Sequence, residues 1–219
     1  MMIKALVFDM DGLIFDSERI VQRTWEAAGD EMGMPHLGEH IYNTIGFNLA
    51  SRTKYFKENV KEDFPMEEFS QRTRMKFREI VDAEGLTVKK GARELILFAK
   101  NAGYRLAVAT SSRREHATNM FREANLYEYF DGFVFGDMVQ HAKPDPEIYL
   151  TACQIIGVEP KCAIALEDAP SGIRAATAAG MRTIMVPDLV QPSEEISKML
   201  WHQVTSLEEV ITLLENGED

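Results

Sequence analysis

The sequence predicts an α/β fold, a doubly wound parallel sheet with an all-helical insertion after its first strand. After residue 85, short apolar runs typical of buried strands alternate with amphipathic helical patterns. Such alternation is typical of a parallel sheet wound by right-handed crossovers. Between residues 16 and 83, in contrast, we find only helical or loop patterns. A chain of 219 residues, 45% of them hydrophobic, is long enough for one core and a smaller inserted domain.

The first strand is predicted at residues 3–8, a short apolar run of the kind buried on both faces of a sheet. Ser17 is a candidate N-cap for a helix that runs to about Met32. Further helices are predicted at residues 49–60 and from Pro65 to Val81. We therefore expect residues 16–83 to be the helical insertion, and residues 1–15 and 84–219 to form the discontinuous sheet domain.

The rest of the chain follows the α/β rhythm. The predicted strands are at residues 105–109, 133–135, 162–166 and 183–186. The predicted helices are at residues 92–102, 115–123, 146–156, 171–179 and 207–214.

The charge balance limits the possible partners. The chain has 24 Lys and Arg against 35 Asp and Glu, a formal net charge of −11. Binding to nucleic-acid polymers or anionic membranes needs a cationic surface, so we expect neither. A small anionic ligand is still compatible with this charge if a cation and oriented amides make its pocket locally attractive.

The sequence also indicates a cytoplasmic protein. Cys153 and Cys162 do not form a disulfide framework or a close metal-binding pattern, and we interpret them as reduced thiols. The N-terminal apolar run meets Asp9 too early for a signal sequence or a membrane span. We find no coiled coil or long exposed apolar stretch and expect a monomer.

Polar residues follow the predicted strands. Because the carboxyl ends of parallel strands share one edge of the sheet, where ligands bind, we expect these residues to converge. They are Asp9, Asp11 and Gly12 after the first strand, Thr110, Ser111 and Ser112 after the second, Lys143 before a later helix, and Glu167 and Asp168 after the strand at 162–166.

This combination predicts phosphoryl chemistry with a divalent cation. Four neighbouring carboxylates repel one another unless a cation lies among them. Oxygen ligands without His or Cys partners suit Mg²⁺. A carboxylate can attack phosphorus and form an aspartyl-phosphate, which splits hydrolysis into two easier steps. A lysine, hydroxyls and amides at the strand ends would hold the phosphoryl oxygens.

The same residues carry a family resemblance. Asp9-x-Asp11-Gly12, Thr110/Ser111, Lys143-Pro144 and Glu167-Asp168 occur in the order of the four motifs of the haloacid dehalogenase-like (HAD) phosphohydrolase superfamily, which the chain resembles over essentially its whole length. The segment from Phe8 to Glu18 resembles the branch that holds β-phosphoglucomutase and small sugar-phosphate phosphatases. The resemblance implies a Rossmann-like core and identifies the helical insertion as a C1 cap.

The resemblance also implies the roles of the acids. Asp9 would be the nucleophile and a Mg²⁺ ligand. Asp11 would be the general acid and base, with its backbone carbonyl on the metal. Asp168 would bind Mg²⁺ directly, and Glu167 directly or through water.

For the phosphate, the resemblance implies three binding residues. Thr110 would donate its hydroxyl, Ser111 its amide, and Lys143 would pair with both the nucleophile and the phosphate. Each motif also has a simpler structural interpretation that involves no active site. The acids would be loop residues, the hydroxyls would cap the next helix, and Lys143 would be an exposed loop lysine.

Hydrolysis is favoured over phosphoryl transfer to a second sugar hydroxyl. Mutases of this branch carry a cap histidine four residues after the hydroxyl residue of an Asp-Ser/Thr pair. The pair here is Asp16-Ser17, and the corresponding position holds Val21. The mutase arginine three residues after a cap glycine is replaced by Leu49, counted from Gly46. We therefore predict a Mg²⁺-dependent phosphoric monoester hydrolase, with a mutase as the alternative.

The substrate is expected to be a small phosphorylated metabolite, such as a sugar phosphate, read by the cap. Glu18, Asn48 and Arg52 are the candidate specificity residues, although they would equally suit a solvated cap surface. A non-catalytic acylphosphate-binding module is a further alternative. The retained Asp11 and the helical insertion argue against that module.

Overall fold

A computed structural model describes residues 2–217 of the chain. Its described strands pair in parallel and form one six-stranded sheet. The strands are β1 (Ala5–Phe8), β2 (Arg105–Ala109), β3 (Gly132–Val134), β4 (Ala163–Glu167), β5 (Arg182–Met185) and β6 (His202–Gln203). Their order across the sheet is β3-β2-β1-β4-β5-β6. The predicted doubly wound, Rossmann-like α/β fold is confirmed.

Helices cover both faces of this sheet. The described α-helices are α1 (Glu18–Glu31), α2 (Leu49–Asn59), α3 (Met66–Glu84), α4 (Ala92–Asn101), α5 (Arg114–Glu123), α6 (Glu147–Ile155), α7 (Pro170–Ala178), α8 (Glu194–Ser197) and α9 (Leu207–Glu215). Short 3₁₀ helices occur at Leu37–Asn43, Tyr127–Tyr129 and Pro160–Cys162.

Strand β1 lies in the middle of the sheet and is buried on both faces. Leu6 and Phe8 belong to a hydrophobic cluster with residues of α4, α5 and α9. Ala5 and Val7 point to the opposite face and belong to a cluster with residues of α6 and α7. Period-two alternation thus divides one apolar run between two cores. On the α6 and α7 face the strands contribute mainly alanines, which let these helices lie close to the sheet.

Most sequence-predicted elements occur within one residue of their expected bounds, but β1 begins two residues later and α3 extends three residues further. Strand β3 begins and ends one residue earlier than predicted, whereas β4 is shifted one residue later. The sequence patterns missed β6 and α8, which have two and four residues. Elements this short contain too few residues to establish a hydrophobic period.

The helical segment between β1 and β2 has a hydrophobic cluster of its own. Trp25 of α1 makes edge contacts with Phe56 of α2 and Phe69 of α3, with ring centroids 5.2 and 5.7 Å apart. Ala169, which precedes α7, also belongs to this cluster. The segment therefore packs on itself and contacts the carboxyl-terminal edge of the sheet.

Two linkers join the helical segment to the sheet, and they run side by side. The Asp16 N–H donates to the Thr87 carbonyl at 3.0 Å, and the Lys89 N–H donates to the Ile14 carbonyl at 2.8 Å. Asp188, just beyond β5, ties both linkers to the sheet. Its Oδ1 lies 2.8 Å from an Arg19 nitrogen and 2.6 Å from Lys89 Nζ, while Asp188 Oδ2 is buried without a hydrogen-bond partner in the described part of the chain.

Cys153 and Cys162 are buried free thiols, as expected. Burial raises the pKa of the Cys153 thiol to about 11. Within residues 2–217, every helix is too short or too polar to cross a membrane.

Candidate active site

The residues predicted to carry the chemistry lie together at the carboxyl-terminal edge of the sheet. Asp9 follows β1 directly, and its amide N–H donates to the Leu166 carbonyl of β4 at 2.9 Å. Thr110 follows β2, and Glu167 and Asp168 lie at the end of β4. Strand order reverses between β1 and β4, the position where open α/β sheets bind their ligands.

Lys143 joins two of these carboxylates. Its Nζ lies 2.5 Å from Asp9 Oδ1 and 2.6 Å from Glu167 Oε1, and it donates to the Ala109 carbonyl at 3.0 Å. These three acceptors match the three N–H donors of the ammonium group. The side chain is 1% exposed. The alternative of an exposed loop lysine is therefore wrong.

The electrostatics of the site reflect burial of several acids around one lysine. Burial raises the pKa of Asp9 to about 7 even though Lys143 acts to lower it. Burial, with Asp9 and Glu167 nearby, raises the pKa of Asp168 well above its usual range. Burial alone would lower the pKa of the Lys143 ammonium, but the Asp9 and Glu167 carboxylates outweigh it and raise that pKa. One lysine thus compensates only part of the negative charge.

The acids at this edge fit a divalent cation. Asp9, Glu167 and Asp168 each offer a carboxylate oxygen, and these three atoms lie within 4.8 Å of one another. Asp168 Oδ2 is buried and has no hydrogen-bond partner among the described residues. An unpartnered buried oxygen beside other carboxylates is a natural metal ligand. The all-oxygen donor set suits Mg²⁺.

Two serine hydroxyls hold the second motif acid, Asp11. Ser17 Oγ donates to Asp11 Oδ1, and Ser112 Oγ donates to Asp11 Oδ2, both at 2.7 Å. Ser17 was expected to cap α1, and it does occupy the N-cap position, but its side chain makes no capping hydrogen bond. The hydroxyl instead fixes the orientation of the carboxylate.

The other two residues of the hydroxyl cluster have different partners. Thr110 is fully buried, and its Oγ1 accepts a hydrogen bond from the Ser112 N–H at 3.0 Å. Ser111 Oγ donates to the Gly46 carbonyl of the helical segment at 2.8 Å. Helix α5 begins at Arg114, and Arg113 occupies its N-cap position. The alternative that these hydroxyls cap the next helix is therefore wrong.

Two glycines allow the close packing of the acids. Gly12 has a φ of +78°, and a Cβ at this position would overlap the Asp168 carboxylate. A Cβ at Gly172, in the first turn of α7, would overlap the Glu167 carboxylate. Both positions therefore require glycine, for backbone conformation at Gly12 and for space at both.

Of the three candidate specificity residues, Glu18 and Arg52 share the site's electrostatic environment. Glu18 is 6% exposed, and burial together with Asp11 raises its pKa to about 8, although Arg52 acts to lower it. Arg52 Nε is buried and has no hydrogen-bond partner within residues 2–217, and the guanidinium lies 5.0 Å from the centre of the Trp25 ring. Asn48 caps α2, since its Oδ1 accepts from the Ser51 N–H at 2.9 Å.

Sequence reasoning missed three side chains that contact the site acids. Ser17 and Ser112 were noted only as a helix cap and as a member of the hydroxyl cluster. Tyr149 was treated as part of an amphipathic helix, yet its hydroxyl donates to Glu167 Oε1 at 2.5 Å. An aromatic residue on the buried face of a helix has the same pattern whether or not its hydroxyl has a polar partner.

Comparison with known proteins agrees with this geometry. The sequence model of the haloacid dehalogenase-like hydrolases matches residues 6–186, most of the chain. The chain belongs to this family. The match begins in β1 and extends past β5, so it includes every predicted motif residue. The predicted family and the expected enzyme class, a hydrolase, are confirmed.

Individual haloacid dehalogenase-like proteins resemble the chain along most of its length. A phosphorylated carbohydrates phosphatase from Thermotoga maritima is 32% identical over 181 residues, 83% of each chain. Hexitol phosphatase A from Escherichia coli is 30% identical over 184 residues, 84% of this chain and 82% of its own. The crystal structure of CbbY from Rhodobacter sphaeroides in complex with phosphate is 29% identical, with a TM-score of 0.81 and coverage of 95% and 96%.

Proposed function

We propose that this protein is a Mg²⁺-dependent phosphatase that hydrolyses a small phosphomonoester, a sugar phosphate, through an aspartyl-phosphate on Asp9. The observation that carries the proposal is the buried contact of Lys143 with both Asp9 and Glu167, beside the unpartnered oxygen of Asp168. The similarity to phosphatases of phosphorylated carbohydrates and hexitols supports the same substrate class.

In the first step, a carboxylate oxygen of Asp9 attacks phosphorus and the bond from phosphorus to the ester oxygen breaks. Lys143 holds Asp9 Oδ1, so we assign the attack to Oδ2. Asp11, oriented by Ser17 and Ser112, gives its proton to the departing alkoxide. In this proposal the Thr110 hydroxyl and the Ser111 amide donate to the phosphoryl oxygens, and Lys143 attracts these oxygens by its charge.

In the second step, the Asp11 carboxylate takes a proton from water as that water attacks the phosphorus of the aspartyl-phosphate. The Asp9–phosphorus bond breaks, inorganic phosphate leaves, and Asp9 returns to its starting form. Asp9, Asp168, the Asp11 carbonyl and Glu167 would hold Mg²⁺, which would neutralise carboxylate and phosphoryl charge. Asp11 thus acts as acid first and base second.

The helical segment is proposed to be the cap that reads the rest of the substrate, with residues 16–83 as cap and residues 1–15 and 84–219 as core. Ser111 already contacts Gly46 across this boundary. Burial and the neighbouring Asp11 raise the pKa of Glu18 to about 8, which favours a neutral carboxyl that both donates and accepts hydrogen bonds. A polyol presents donors and acceptors in the same way. We assign Glu18, Arg52 and Asn48 to the sugar part of the ester.

Water, and not a second sugar hydroxyl, is the proposed acceptor of the phosphoryl group. The position of the mutase histidine is occupied by Val21, which packs against the hydrophobic cluster of the helical segment. Leu49, at the position of the mutase arginine, begins α2 and is 36% exposed. Neither side chain transfers a proton or binds phosphate.

A hydrolysis screen tests the proposal. Purified protein stripped with EDTA is supplied with sugar phosphates, nucleotides and phosphoglycolate-like acids, with and without Mg²⁺, and inorganic phosphate is measured. We expect Mg²⁺-dependent release that is greatest with a sugar phosphate and absent in Asp9→Asn. A hexose 1-phosphate assay for the 6-phosphate isomer separates mutase from phosphatase. Full activity in EDTA, or wild-type turnover by Asp9→Asn, would refute the mechanism.

A further inference from the structure

Tyr149 presents a polar atom where the fold itself requires only an aromatic ring. It lies in α6 within the cluster between α6, α7 and the alanine-rich face of the sheet, and it is fully buried. Its neighbours in that cluster include Ile148 and Ala152. A phenylalanine would supply the same ring, and burying a hydroxyl without a partner has a free-energy cost. The buried hydroxyl therefore needs a hydrogen-bond partner, and that partner is the site acid Glu167.

The Tyr149 hydroxyl completes the hydrogen bonding of Glu167. Glu167 Oε1 accepts from the Tyr149 hydroxyl at 2.5 Å and from Lys143 Nζ at 2.6 Å. Glu167 Oε2 accepts from the Ala169 N–H at 3.3 Å. Two donors on one oxygen and a backbone donor on the other leave the carboxylate little rotational freedom.

Tyr149 also contacts the lysine that Glu167 orients. Lys143 Nζ lies 5.1 Å from the centre of the Tyr149 ring, within the range of a cation–π interaction. The same ammonium reaches Asp9 Oδ1 at 2.5 Å. A continuous chain of contacts thus runs from the Tyr149 hydroxyl through Glu167 and Lys143 to the proposed nucleophile.

We propose that Tyr149 is a positioning residue, whose hydroxyl fixes Glu167 so that Glu167 holds Lys143 on Asp9 and keeps its own place at the metal site. Tyr149 lies behind the carboxylates, in the helix-packed core, and acts through Glu167 without contacting the substrate. The inference rests on the proposed function, because the consequences described here are those for a Mg²⁺-dependent phosphatase.

The test is the conservative variant Tyr149→Phe, which removes one oxygen and keeps the ring. Loss of an outer partner of this kind typically lowers activity or metal affinity by about tenfold or more. We expect kcat to fall by about tenfold, while KM for the ester changes by less than about twofold since the hydroxyl does not contact substrate. Tyr127→Phe is the matched control, because Tyr127 stacks on Phe133 at 4.6 Å in the opposite core.

A second variant separates positioning from general loosening of the fold. If Tyr149 acts through Glu167, its loss has little effect once that carboxylate is removed. We therefore expect the fall in kcat to disappear in the Glu167→Ala background, which leaves no side-chain acceptor for the hydroxyl. Calorimetric titration of Mg²⁺ into EDTA-stripped protein gives a readout independent of turnover. We expect Mg²⁺ binding to weaken by about tenfold or more in Tyr149→Phe and to be unchanged in Tyr127→Phe.

Three results would each overturn the inference: a kcat for Tyr149→Phe within twofold of wild type, an equal fall in kcat with and without the Glu167 carboxylate, or an unchanged Mg²⁺ affinity. These outcomes are distinct from failure of the proposed function. That failure appears in the wild-type protein, as absence of Mg²⁺-dependent hydrolysis, before any Tyr149 variant is compared.

Discussion

Lys143 Nζ lies 2.5 Å from Asp9 Oδ1, although 134 residues separate the two along the chain. Both side chains are buried at the carboxyl-terminal edge of the sheet, where the lysine lies among several acids. The contact fixes one oxygen of Asp9 and leaves the other to react. This relationship between lysine and aspartate is the basis of the proposed chemistry.

Replacement of Lys143 by methionine should impair both stability and turnover. Removing one partner of a buried ion pair leaves an uncompensated charge and costs about 3–5 kcal/mol. We expect this loss in urea unfolding of the metal-free protein, with kcat lowered by at least about 100-fold. Lys161→Met is the matched control, since Lys161 pairs with Glu159 at 2.6 Å and is 59% exposed. A Lys143 variant that unfolds and turns over like this control would show that the contact is dispensable.

Ser112→Ala should lower kcat by about tenfold or more with little change in KM, because Asp11 loses a charge-assisted hydrogen bond that orients it. Ser17→Ala should act similarly through the other oxygen of Asp11. Steady-state kinetics of both variants test this. Ser193→Ala, which removes a capping hydrogen bond of α8, should leave kcat unchanged. Equal kcat values for the Ser112 variant and this control would contradict the role assigned to Asp11's partners.

Much of the sheet domain follows from short-range patterns. The apolar run that ends at Phe8 predicts β1 because both its faces are buried, and the Asp9 that follows it marks the sheet edge. The patterns fail for β6, which pairs with β5 over only two residues, Ile184 with His202 and Met185 with Gln203. A strand this short is specified by its neighbours and not by its own sequence.

The sequence predicted the positions of site residues that directly follow a strand. It did not predict hydrogen bonds whose partners are set by long-range packing. Asp9 and Thr110 were placed correctly because the ends of parallel strands converge. Ser17 looked like a helix cap because local chemistry favours that role, but Asp11, six residues earlier, competes successfully for its hydroxyl. The hydrogen bond of the Tyr149 hydroxyl was missed because helical periodicity indicates only that the ring is buried.

The metal-free protein should lose stability as pH rises. Burial raises the pKa of Glu18 from 4.5 to about 8, and that of Asp9 from 3.8 to about 7. The folded state therefore binds more protons than the unfolded chain between pH 4.5 and 8, and the free energy of unfolding falls as pH rises through this window. Urea unfolding in EDTA at several pH values measures the slope.

Glu18→Gln should flatten that slope by up to about 1.4 kcal/mol per pH unit, since it removes one titrating group. Glu58→Gln is the control, because Glu58 is exposed and pairs loosely with Lys54 at 3.9 Å. Mg²⁺ should restore stability most strongly at the high-pH end, where the site acids are ionised. A metal-free stability that rises with pH would mean that these carboxyls are not held in the buried state described.

Asp188→Asn should weaken the attachment of the two linkers. The Asp188 side chain is 3% exposed, and its Oδ1 contacts both Arg19 and Lys89. Replacing a charge-assisted acceptor by a neutral one should cost about 1–3 kcal/mol. We expect a lower urea midpoint, with a smaller change in the exposed-pair variant Glu195→Gln, whose partner is Arg174. If the two variants unfold at the same midpoint, Asp188 is not what anchors the linkers.

Chemical trapping of the intermediate tests the assignment of Asp9 most directly. Asp11→Asn cannot activate water, yet p-nitrophenyl phosphate has a leaving group that needs no acid, so the aspartyl-phosphate should accumulate in this variant with Mg²⁺ present. Quenching followed by borohydride reduction converts an acyl phosphate to an alcohol, which peptide mass spectrometry locates. We expect a burst of p-nitrophenolate equal to the enzyme concentration and conversion of Asp9 to homoserine. A burst with Asp9 unmodified and another residue reduced would contradict the mechanism.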